Sequence, residues 1–139
     1  MAPRRTEDDV TSTSPVRRPD AIVAFERLFL LTLGIGVVQA VVGWDELVER
    51  APAARILAML ILTLGTEATL VLLASRARSS AAKWVLLAML VIGVPLYLTS
   101  LERGTVVGAP LLSLLQALLQ AASVSMLFTA SARAWFRAS

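Results

Sequence analysis

The chain has 139 residues, 57% of them hydrophobic, a mean hydropathy of +0.74 and a formal charge of +3; its apolar residues lie in unbroken runs of membrane-span length, with room for one domain. It holds no Cys and no His, which excludes disulfides, thiolate nucleophiles, imidazole bases, haem ligation through those side chains and ordinary zinc or copper sites. The pI of about 10.6 is not a nucleic-acid signature, because the Arg and Lys residues sit between apolar runs and form no single basic face; the expected partner is the lipid bilayer, not nucleic acid.

Residues 1–19 mix both charge signs with Ser, Thr and Pro and read as a disordered cytoplasmic tail, followed by a four-helix transmembrane domain over 20–137. Arg4, Arg5, Arg17 and Arg18 resemble the basic start of a signal peptide, yet no small-residue cleavage site follows the first apolar run, so that span is expected to be retained. Asp20 reads as a helix N-cap after Pro19, and the first span covers about 22–43. Glu26 and Arg27 near its start read as an interfacial charged pair. Thr32, Gly36, Gln39 and Gly43 follow at helical spacing, a stripe suited to close helix packing.

The acidic link from Gly43 to Pro52 has room for a short interfacial helix. The second span, about 54–74, carries Thr63, Thr66 and Glu67 inside an otherwise apolar run. A basic loop from Ser75 to Lys83 leads to a third, almost entirely aliphatic span, about 84–101, in which Gly93 and Pro95 predict a bend. The fourth span is expected as one helix over about 106–130, with Pro110 early. It carries a small-residue ridge, Ala109, Ser113, Ala117, Ala121, Ser125 and Thr129, beside a polar stripe of Ser113, Gln116, Gln120 and Ser123. Arg133, Trp135, Phe136 and Arg137 close the chain at headgroup level.

Counted on alternate sides of the spans, Lys and Arg number ten with the termini and the 75–83 loop, and three with the other two loops. The positive-inside rule then places both termini in the cytoplasm.

Glu67 is the one acid well inside a span. A carboxylate near the bilayer centre costs about 2.5–3.5 kcal/mol on insertion scales, so it faces protein or water and often marks an ion or proton path. Depth along each helix groups Glu67, Thr63 and Thr66 with Gln116, Gln120 and Gln39 as a candidate intramembrane polar site. Three readings compete for it. The amides and hydroxyls serve as interhelical glue with a protonated Glu67; or a proton- or cation-coupled transporter works as a homodimer through Glu67; or the chain is an accessory subunit in a larger membrane complex. Gly34 and Gly36 lie within a helix, not in a phosphate-binding turn, and no site pairs two carboxylates. No enzyme activity, cofactor or catalytic residue is expected, and the leading expectation is a structural or accessory membrane subunit.

The opening Ala24-Phe25-Glu26-Arg27-Leu28-Phe29-Leu30 and the ending Leu127-Phe128-Thr129-Ala130-Ser131-Ala132-Arg133-Ala134-Trp135-Phe136 resemble those of uncharacterised small bacterial four-span inner-membrane proteins, which implies the plan and no site. Four short helices with one buried Glu also resemble small multidrug resistance transporters. That likeness implies proton and cationic-drug binding by a homodimer. It departs from that family in two ways: the family's Glu lies in the first helix, where this chain has Glu26 beside Arg27, and its members lack the long polar tail.

Overall fold

The computed structural model describes residues 18–103 and 110–137, all helix and connecting turns. In order these are α1 (Asp20–Val42), α2 (Trp44–Arg50), α3 (Ala53–Ser75), α4 (Ser80–Glu102), α5 (Pro110–Met126) and α6 (Ala130–Arg137). The polar tail up to residue 17 and the 104–109 connection lie outside the described residues, as does Ala109 of the ridge.

Helix is the backbone's solution to a solvent that offers no hydrogen bonds. α1, α3 and α4 have 23 residues each, about 34 Å at 1.5 Å per residue, and are long and apolar enough to cross a membrane. Among the described residues the helices long and apolar enough to cross a membrane number three, or four if α5 and α6 are one bent span. Much of their outer surface is apolar and exposed, including Met59, Ile61 and Leu62 of α3 and Val91, Ile92 and Leu96 of α4, a surface that suits lipid and not water.

The fourth helix is not continuous to residue 130. α5 ends at Met126, and α6 leaves it at 59°. Leu127, Phe128 and Thr129 donate their N–H groups to carbonyls three residues back, at 3.1, 3.0 and 3.3 Å, tightening the last turn out of α geometry. Thr129 then restarts the helix as its cap: its Oγ1 accepts the Ala132 N–H at 3.4 Å.

Two helix starts also differ from the sequence reading. Pro19, not Asp20, occupies the N-cap of α1, because its ring holds φ at −57° and its carbonyl accepts from Ile22 and Val23; Asp20 becomes the first helical residue, near the positive end of the helix dipole. α4 begins at Ser80, with the Ser79 side chain accepting from Ala82 N at 3.2 Å, so Lys83 belongs to its first turns and not to a loop. α4 continues as helix through Pro95.

α1 packs between α3 and α5, and α4 closes the ring opposite it by packing on the same two helices. The tight core lies at one end. Ile22, Phe25 and Phe29 of α1 meet Val71 and Ala74 of α3, Leu86 of α4 and Val124 of α5, and α6 folds across beneath them with Ala132, Trp135 and Phe136 buried. We call this the closed end. Toward the other end the packing gives way to a chamber.

Candidate functional site

The chamber has a volume of about 550 Å³ and is walled by four helices. α1 contributes Phe29 and Gln39, α3 contributes Glu67, α4 contributes Met89, Gly93 and Tyr97 among others, and α5 contributes Ser113, Gln116 and Gln120. Phe29, Leu86 and Val124 belong both to its wall and to the buried core, so they form its floor.

Of the residues grouped by sequence, the structure brings Glu67, Gln39, Gln116 and Gln120 onto this one surface. Thr63 and Thr66 are exposed and do not line it. Helical geometry accounts for the split: the inward stripe of α3 runs through Leu64, Glu67, Ala68, Val71 and Ala74, and Thr66 is turned about 100° from Glu67 while Thr63 sits on the stripe's flank.

The polar groups fall into two sets. Ser113 Oγ donates to Gln39 Oε1 at 3.1 Å, and Gln39 Nε2 donates to Gln116 Oε1 at 3.0 Å, a relay that joins α1 to α5. Gly36 makes room for it, since a Cβ there would stand 3.1 Å from Gln116 Nε2. Tyr97 adds a link from α4 by donating to the Pro110 carbonyl at 3.1 Å. Glu67 and Gln120 stand apart from the relay. Both are half-buried on the wall, and among the described residues neither side chain makes a hydrogen bond or ion pair. A carboxyl and an amide offered to a chamber that mixes the polar groups of Gln39, Tyr97, Ser100, Ser113 and Gln116 with aliphatic side chains can hold a proton, a cation, or the donor groups of a small polar molecule.

The sequence also placed Glu26 with Arg27, and this is corrected. Neighbours on a helix point about 100° apart, so Arg27 is exposed while Glu26 turns into the closed end beside Phe25. There Glu26 accepts from Arg76 at 2.8 Å and from Arg18 at 2.8 Å, which ties the start of α1 to the turn after α3. Its surroundings make it a latch, separate from the chamber.

Tyr97, Ser100 and Met89 are chamber residues the sequence reading did not assign. Their signal was present: Leu86, Met89, Gly93, Tyr97 and Ser100 recur at three and four residues along α4. In a helix that is apolar on every side, hydropathy does not distinguish that stripe from its neighbours. No known protein family, curated protein or solved structure matches this chain.

Proposed function

We propose that this multi-pass membrane protein is a proton- or cation-coupled carrier of a small solute, with the chamber as its binding site and Glu67 as the titrating group. The observation that carries this reading is that Glu67, the acid placed within the apolar length of α3, faces a chamber of about 550 Å³ with no partner among the described residues. Interhelical glue would pair its members, as Gln39 and Gln116 are paired; Glu67 and Gln120 are held available instead. The chamber lies within one chain, so binding does not need the homodimer, although two copies can still associate. The bias of Lys and Arg supports an orientation with both termini in the cytoplasm.

The test is flux in sealed vesicles loaded with a pH dye, under an imposed pH gradient and potential. With a panel of small polar and cationic solutes supplied one at a time, the wild-type chain should dissipate the gradient faster than empty vesicles for the solute it carries, and Glu67→Gln, which keeps the shape and removes the titration, should fall to the empty-vesicle rate. Equal rates for the two proteins would remove Glu67 from any coupling role.

The accessory-subunit reading has one observation in its favour. The outer face of α3 carries Gly65, Thr66 and Thr69 exposed, small and hydroxylic residues of the kind that let another helix approach. Purification from native membranes decides it: a protein that co-purifies with the wild type and is lost with Thr66→Leu, together with unaltered flux in Glu67→Gln, makes the adaptor the better account.

A further inference from the structure

A second cavity, about 470 Å³, opens at the closed end between the start of α4 and the length of α6, lined by Ser80, Lys83, Ala130, Arg133, Phe136 and Arg137. All its charged residues are cations. Ala130, Arg133 and Arg137 recur at three and four residues and so share one face of α6, which the 59° bend turns across the end of the bundle. Lys83 comes from α4 and is buried to 9% exposure.

The burial of Lys83 is the unusual feature. A buried ammonium ordinarily pairs with a carboxylate, and among the described residues none pairs with this one. The nearby acid of the closed end, Glu26, is already held by Arg18 and Arg76. Instead, Lys83 Nζ lies 4.9 Å from the ring centroid of Phe136, 5.1 Å from Phe128 and 5.4 Å from Trp84. Ring faces attract an ammonium without neutralising it, so they deliver a full positive charge to the cavity wall. Two exposed guanidinium forks stand at the same cavity, and their planar donor geometry matches phosphate oxygens.

We propose that this basic cavity binds one phosphate-bearing anion, either the headgroup of an anionic phospholipid or free phosphate. Its site is distinct from the chamber, and the proposal stands whether or not the chamber carries a solute. The aromatic cage fixes Lys83 at the back of the cavity, and Arg133 and Arg137 close over the anion from α6. Binding there clamps α6 to α4, the two elements that form the wall.

The full-length chain in neutral detergent is titrated with phosphatidylglycerol, phosphatidylcholine and inorganic phosphate, reading bound lipid by native mass spectrometry and the unfolding midpoint by thermal melt. A response to phosphatidylglycerol alone assigns the site to a lipid headgroup; a response to inorganic phosphate as well assigns it to phosphate from either source. Each Arg→Gln replacement at Arg133 or Arg137 should weaken binding about fivefold, and added salt should weaken it further. These side chains are exposed, so the variants test binding without depending on the more deeply buried Lys83. A response to inorganic phosphate without either lipid assigns the site to free phosphate, whereas equal binding of the two lipids, no response to any of the three ligands, or undiminished binding in the double Arg variant would overturn the proposal.

Discussion

Gln39 Nε2 donates to Gln116 Oε1 across 3.0 Å, while Gln116 Nε2 lies 3.1 Å from the position a Cβ on Gly36 would take. A methyl group at Gly36, one turn away, would therefore press on the amide that joins α1 to α5 and require it to shift by a few tenths of an ångström. Gly34, two residues earlier, has nothing within 4 Å of its own Cβ position. Both glycines are in the same helix and gain the same propensity on change to Ala, up to about 1 kcal/mol. Only at Gly36 is that gain opposed by a shift of the Gln116 amide, which weakens a bond contributing about 0.5–1.7 kcal/mol. Gly34→Ala should melt at or above the wild-type temperature in detergent, and Gly36→Ala below Gly34→Ala. Indistinguishable melts would mean that the relay contributes nothing.

The Glu26 latch gives an asymmetric prediction. The Glu26 side chain is 11% exposed, against 63% for Arg76 and 40% for Arg18. Removing Glu26 leaves guanidiniums that water can still solvate, whereas removing Arg76 leaves a buried carboxylate with half its pairing. The second loss is the costlier, because a buried unpaired charge is worse than an exposed one. Arg76→Gln should destabilise by about 1–3 kcal/mol, discounted from the range for a fully buried pair because Arg76 is exposed. Glu26→Gln should cost less than Arg76→Gln, and the reverse order in matched melts would refute the argument.

Truncation of the core tests where the bundle is held. Phe25 is fully buried at the closed end, with its ring edge-on to Phe29 at 5.8 Å, while Leu62 on α3 is 71% exposed. In a soluble protein Phe→Ala costs about 3–5 kcal/mol, but in lipid or detergent the unfolded side chain stays in apolar surroundings and the transfer part largely cancels. What remains is lost packing, so Phe25→Ala should cost about 2 kcal/mol and Leu62→Ala less than about 0.5 kcal/mol. Similar losses at both positions would contradict a core confined to one end.

Much of this architecture was legible in the chain because lipid imposes simple rules. Apolar runs of span length yielded α1, α3 and α4, since a backbone in such a solvent has little choice but helix. Gln39, Gln116 and Gln120 were findable with Glu67 because polar groups in those runs have few places to face. Facing in azimuth was the harder step: Thr66 is adjacent to Glu67 in sequence yet turned outward, and Arg27 is adjacent to Glu26 yet exposed. The break after Met126 was hidden as well, because Leu127, Phe128 and Thr129 continue the apolar pattern and only their hydrogen bonding departs from it. Lys83 read as a loop charge because nothing local shows that Phe128 and Phe136, more than forty residues later, supply its surroundings.

The absence of Cys makes single-cysteine labelling a clean probe of the chamber. Gln116 lines it, Thr66 is exposed on the outer face of α3, and Ser123 is 0% exposed in the packed region of α5. In a bilayer the outer face meets hydrocarbon, which a charged maleimide does not enter, while a chamber that holds water admits it. Gln116→Cys should therefore label readily, and Thr66→Cys and Ser123→Cys slowly, for two different reasons. A small apolar maleimide separates those reasons, since it should recover the reaction at Thr66→Cys and leave Ser123→Cys protected. Adding the charged reagent to only one side of sealed vesicles then reports the side from which the chamber is reached. If Thr66→Cys reacts with the charged reagent as fast as Gln116→Cys, the outer face of α3 is not in lipid, and the division between chamber and exterior fails.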